Sequence, residues 1–147
     1  FRSSKWLAPT RDSFKINFDG AVFKDQDRAG IGMIIRDSRG LVMGSMSQVI
    51  SLPLTIVELE TLAAKKALEF ATDLRLDSVA LEGHSEILMN ALMDNSLLLA
   101  SFGILIQDIK AYAEFFQCIS FSNVRREGNI IAHNLAKHAC DVIGFLV

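Results

Sequence analysis

Hydrophobic and polar positions follow two different periods along this chain, and the switches between them mark its elements. In FKINFDGAVF, residues 14–23, Phe14, Ile16 and Phe18 fall on one side and Lys15, Asn17 and Asp19 on the other, which predicts a half-buried strand. AGIGMIIRD (29–37) reads as a second strand, RDSRG (36–40) as a turn, and LVMGSMSQVI (41–50) as a third strand. Short turns between such strands predict an antiparallel meander. Residues 55–74 then take up helical spacing. DSVALEG (77–83) is a short fourth strand, 85–95 and 102–116 are helices, CISFSNVRR (118–126) is a fifth strand, and 129–145 is a last helix. The order βββ-α-β-α-α-β-α predicts an α/β fold, a mixed sheet with helices against its faces. Residues 1–13 carry Pro, Ser and mixed charge and read as an N-terminal linker with Trp6 tucked against the domain, so the domain itself spans 14–147.

A chain of 147 residues suits one core. At this size roughly 68–70% of the unfolded surface can be buried, so folding requires neither a metal nor a disulfide. The net charge of −2 changes the picture more. It argues against tight non-specific nucleic-acid binding, so any such binding must come from a local patch. Cys118 and Cys140 cannot build a disulfide framework and fit a reducing, intracellular setting with free thiols. The longest nearly apolar run, LLLASFGILI (97–106), is too short to span a bilayer. No signal peptide, repeat, low-complexity segment or interior linker is visible, and a first residue other than Met fits a piece of a longer chain.

Two carboxylates stand in unusual places. Stepping about 100° per residue along 55–74 puts Leu59, Ala63, Ala67, Phe70, Ala71 and Leu74 on one face. Glu60 falls in the middle of that face, among small alanines. Burying an unpaired carboxylate is costly or shifts its pKa. Glu60 is therefore either an acid paired with an Arg or a backbone amide, or a metal-binding or catalytic acid. Asp19 is weaker evidence, because Asp-Gly at the end of a strand is also a common turn signal.

Five blocks occur in order along the chain: KINFDGA, AGIGMIIRDSRG, ELETLAAKKALEFA, LEGHSEIL and VRREGNIIAHNLAKHA. Together they resemble the RNase H family, and most of all the plant-type RNase H-like domain of retroelement-derived proteins, over about residues 14–140. The resemblance implies a five-stranded mixed sheet, its first three strands antiparallel, with helices on its faces. It implies an endonuclease that cuts the RNA strand of an RNA–DNA hybrid with paired divalent ions, Mg²⁺ or Mn²⁺. Four acids hold those ions in the family. Asp19 and Glu60 match the first two and are the expected metal ligands. His84 and His133 stand where the other two acids belong. Many plant-type domains read "AH" at the position of His133, so His84 is the more damaging departure.

The consequence is physical. Mg²⁺ is a hard ion that prefers oxygen ligands, and imidazole is neutral and offers one nitrogen. The resemblance therefore implies catalytic positions at Asp19, Glu60, His84 and His133 with metal-dependent cleavage impaired. Glu82 and Glu86 flank His84 and read as surface acids. If all four site residues converge, two carboxylates and two imidazoles suit Zn²⁺, Mn²⁺ or Fe²⁺ better than Mg²⁺. Gly20, Asn17, Ser85 and Arg125 are candidates for contact with the substrate, with Ser85 equally suited to a helix N-cap. Gly30 and Gly32 serve either a close approach of the hybrid's minor groove or tight packing. His138 reads as solvated, and the aromatics of DIKAYAEFFQ as core. No basic-aromatic segment for gripping a hybrid is visible. The alternative is a catalytically inactive RNase H-like scaffold for a protein partner, with LLLASFGILI as a candidate surface.

Overall fold

The computed structural model describes residues 5–94 and 103–139. Cys140, most of LLLASFGILI and the end of the expected last helix lie outside the described residues. The elements follow the expected order: strands β1 (Phe14–Phe23), β2 (Arg28–Arg36) and β3 (Val42–Ser51), helix α1 (Ile56–Asp73), strand β4 (Ser78–Gly83), helices α2 (Glu86–Asp94) and α3 (Gly103–Ala113), strand β5 (Cys118–Asn123) and helix α4 (Ile130–His138). Single 3₁₀ turns at Lys24–Gln26 and Arg126–Gly128 link β1 to β2 and β5 to α4. One five-stranded sheet has the order β3-β2-β1-β4-β5. The β1–β2 and β2–β3 pairs are antiparallel. The β1–β4 and β4–β5 pairs are parallel.

The sheet has a helix on each face. Ile16, Phe18, Ile31, Met33, Ile35 and Leu81 meet Leu59, Ala63, Ala67 and Leu68 of α1 in the main core. Thr55 caps α1 through a 3.1 Å bond from the Glu58 N–H. At its other end Arg75 adopts φ 59° and the Leu76 N–H reaches the Ala71 carbonyl at 3.2 Å, which satisfies a carbonyl the helix leaves open. Leu74 of the expected apolar face is exposed and is the C-cap residue just past the end of α1.

The opposite face differs from the expectation. β1 is not half-buried: Lys15, Asn17 and Asp19 are buried like Ile16 and Phe18. The alternation is real, but α4 packs across β1 and β2 and covers the polar side. Gly30 and Gly32 explain how it comes so close. A Cβ on Gly30 would stand 1.9 Å from the Ala136 carbonyl oxygen, and one on Gly32 would stand 2.3 Å from that of Ala132. Both glycines therefore serve helix packing and are covered, so neither is open to a minor groove.

Two element ends are also corrected. The expected helix 102–116 closes at Ala113, where tight i→i−3 bonds from Phe115 and Phe116 take over. Phe116 enters the core but Phe115 is 72% exposed, so the aromatics of this segment are not all core. The fifth strand stops at Asn123 rather than 126, and Arg125 and Arg126 lie beyond it on the loop to α4. Trp6, in the segment before β1, is half-buried against β1 and β2, as expected. No helix among the described residues is long and apolar enough to cross a membrane.

Candidate active site

The site lies where the parallel pairing of β1 with β4 ends. Phe18 pairs with Gly83, so Asp19 and His84 follow at the same step of the sheet. The carboxyl ends of parallel strands are the usual place for a ligand in α/β sheets. α1 approaches closely because Gly20 has no side chain; a Cβ there would stand 2.5 Å from Leu59 Cγ. Glu60 Oε1 thereby accepts the Gly20 N–H at 3.2 Å. Asp19 is 3% and Glu60 5% exposed. Both form the wall of a cavity of about 840 Å³, together with His84, Ser85, Arg126 and His133.

Burial raises the Glu60 pKa well above the ordinary carboxylate range, and the neighbouring Asp19 raises it further through its charge and a shared hydrogen bond. The Gly20 N–H and the Arg126 guanidinium oppose the shift without cancelling it. When both are ionised, Glu60 Oε2 is buried with no hydrogen-bond partner among the described residues. Such a pair relaxes by sharing a proton or by taking up a cation.

His133 approaches from α4. Its Nδ1 is 2.8 Å from Asp19 Oδ2. Arg126 Nη1 is 3.0 Å from Nδ1 and 3.1 Å from Nε2 of the same ring. An Nδ1–H donated to Asp19 leaves Nε2 as acceptor for Arg126, and both ring nitrogens are then satisfied. So a carboxylate, an imidazole and a guanidinium form a chain from the buried wall to the exposed rim.

Ser85 lines the cavity, and its Oγ accepts the Leu88 N–H at 3.3 Å, which makes it the N-cap of α2. The His84 carbonyl accepts the Asn123 side-chain amide at 3.2 Å. Asn17 and Arg125 are elsewhere. Arg125 is exposed and does not line the cavity, whereas Arg126 does. Asn17 is buried in a polar network under α4, donating at 3.0 Å to both Glu82 Oε1 and Asn129 Oδ1. Glu82 is no surface acid: it is 5% exposed, holds Lys15 at 3.4 Å and accepts the Ser122 hydroxyl at 3.1 Å. Glu86 is exposed on the cavity rim, and His138 is exposed on α4.

The four residues matched to the acid positions share one cavity, but they are not a ready-made metal cluster. Among the described residues no three His, Cys, Asp or Glu side chains converge to hold an ion. His133 Nδ1 is engaged with Asp19 at 2.8 Å. What remains is a buried carboxylate pair with an unpartnered oxygen, which fits one oxygen-seeking divalent ion held by Asp19 and Glu60. Sequence reasoning placed the Arg125–Arg126 pair beside the cleft but chose Arg125 as the contact, and it missed Lys137 and Asn129. Arg126 and Arg125 are adjacent in the sequence, and only the 3₁₀ turn decides which one faces inward.

A β3-β2-β1-β4-β5 mixed sheet with a helix on each face and an acid pair joining β1 to α1 defines an RNase H-like domain. A sequence profile described as reverse transcriptase-like matches residues 17–139, and the chain belongs to that family. No curated protein matches it in sequence. Among solved structures it is similar to RNase H1 of Halobacterium salinarum, at a TM-score of 0.80 and 23% identity, over 88% of this chain and 98% of that one. The N-terminal RNase H domain of Rv2228c from Mycobacterium tuberculosis superposes at 0.79 and 22% identity, over 88% and 94% of the two chains. LC11-RNase H1, solved in complex with an RNA/DNA hybrid, superposes at 0.78 and 23% identity, over 87% and 96%. Identities this low establish the fold they share.

Proposed function

We propose that this chain is a nucleic-acid-binding RNase H-type domain whose ligand is an RNA–DNA hybrid and whose metal-dependent cleavage is impaired. The observation that carries this reading is the buried pair Asp19 and Glu60, meeting across β1 and α1 with one carboxylate oxygen left without a partner among the described residues. These two residues would hold a divalent ion, Mg²⁺ or Mn²⁺, which when bound polarises a phosphate oxygen and acidifies its water. Arg126 and Lys137 line the same cavity and supply the local positive patch that the net charge of the chain does not. Impairment follows from the other two positions. His84 and His133 bring no negative charge, and the His133 Nδ1 already occupies Asp19 Oδ2, with Arg126 bonded to the same ring.

The test is cleavage of a labelled RNA–DNA hybrid in Mg²⁺ and, separately, in Mn²⁺, with the native chain beside the double variant His84→Asp, His133→Asp. Little cleavage is expected from the native chain and about tenfold more from the variant, a change of about 1.4 kcal/mol in the barrier. Robust Mg²⁺-dependent cleavage by the native chain, abolished by Asp19→Asn, overturns the impairment.

One observation favours the second reading, a catalytically inactive scaffold that binds a protein. Ile56 and Ile87 line the cavity while 66% and 59% exposed. A phosphate backbone has nothing to offer these side chains, whereas an apolar side chain of a partner does. Absence of hybrid binding at low salt by either the native chain or the double variant supports the scaffold.

A further inference from the structure

The segment before β1 is bound into the polar layer beneath α4. The Trp6 indole N–H donates to Asn17 Oδ1 at 3.0 Å. Asn17 Oδ1 also accepts from Arg36 at 3.4 Å, and the Arg36 guanidinium stacks on the same indole, 4.1 Å from its centre. Both donors to that oxygen therefore depend on Trp6. With Oδ1 fixed as acceptor, the Asn17 amide nitrogen must face inward, where it donates to Glu82 and to Asn129 Oδ1. That contact in turn fixes the Asn129 amide, whose Nδ2 donates to the Phe18 carbonyl at 2.9 Å. Phe18 precedes Asp19, and Asn129 is the N-cap residue of α4, whose carbonyl accepts the His133 N–H at 3.1 Å. Lys15 ties down the same segment through a 2.6 Å bond to the Leu7 carbonyl.

We propose that residues 5–13 form a strap whose Trp6, acting through Asn17 and Asn129, positions the start of α4 and so holds His133 against Asp19. Trp6 is a positioning residue about three side chains removed from the cavity, and each link orients the next through a group with a single hydrogen-bonding sense. The relay stands apart from the proposed function; only its consequence for the site rests on that reading.

Two variants of the full chain test it. Trp6→Phe keeps a ring for Arg36 to stack on and deletes the N–H donor. Asn129→Ala cuts the relay further along. Amide hydrogen exchange is read at His133 in α4 and at Ala67 in α1, with the His133 ring signals recorded by NMR at one fixed pH. In Trp6→Phe the His133 amide is expected to exchange about fivefold faster, the equivalent of one net hydrogen bond, while Ala67 is unchanged and the ring signals shift. Adding Trp6→Phe to Asn129→Ala is expected to bring little further acceleration, because both cut the same path. Equal acceleration at His133 and Ala67, unmoved ring signals, or fully additive variants overturn the strap. No readout uses nucleic acid or metal. A chain that fails to bind a hybrid therefore leaves the strap standing, and an unmoved His133 sinks the strap alone.

Discussion

Glu60 carries the sharpest conflict between a residue and its surroundings. It is a carboxylate on the buried side of α1, beside a second carboxylate, with one oxygen unpartnered among the described residues. Its pKa is raised in the folded chain, so the folded state holds a proton that the unfolded state has released. The stabilising contribution is complete below the ordinary carboxylate pKa of about 4.3 and is lost as pH rises toward the folded value. Glu60→Gln, which keeps the shape and cannot ionise, is expected to flatten the decline of stability with rising pH. Urea melts across the acid to neutral range check this, with the two proteins converging at the acid end. A divalent ion should raise the melting temperature of the native chain and not of Glu60→Gln, since it binds only the folded pair. A decline just as steep in the Gln variant would place the pH dependence in other groups.

The elements meet through absent side chains. α4 reaches the sheet because Gly30 and Gly32 leave its backbone room, and Ala132 and Ala136 are fully buried over them. Gly32→Ala puts a methyl group 2.3 Å from the Ala132 carbonyl oxygen and 2.3 Å from the Ala136 nitrogen. Backbone atoms cannot swing aside, so a loss of about 3 kcal/mol is expected in chemical denaturation. Thr55→Ala should cost about 1 kcal/mol, because it removes only the cap of α1 and leaves the core contacts intact. The contrast separates a helix held by its end from one held by its whole face. The same layer accounts for the different fate of β1: its polar positions are satisfied by Asn129, Glu82 and His133 instead of by water.

At the scale of the whole molecule, an acidic chain must bind a polyanion through a few local cations. Arg126 and Lys137 are the cavity's basic side chains among the described residues, and both belong to or precede α4. A hybrid held through these contacts loses only about tenfold in affinity between 50 and 200 mM salt. Arg126→Ala should lower the slope of log K against log salt by about 1, and fluorescence anisotropy at several salt concentrations measures it. A much steeper slope would mean that the hybrid lies on a wider surface than this cavity. The apolar rim at Ile56 and Ile87 then decides between ligands, since it gains nothing from phosphate.

Much of this was legible in residues alone. Period-two and helical spacing, together with short turns, determine the element order, because each element must bury one side of itself. Glu60 is visible as an acid on an apolar face, and His84 as an imidazole at a strand end. The tertiary structure decided what lies far apart along the chain. It brought Asp19 to Glu60 and His133 to Asp19, turned Arg126 inward in place of Arg125, and took Asn17 and Glu82 out of the solvent. The reason is that hydrophobic spacing records which side of an element is buried, whereas hydrogen-bond partners and carboxylate pKa values depend on which elements meet. That meeting depends on close approaches such as those at Gly20 and Gly32, which leave no periodic mark in the sequence.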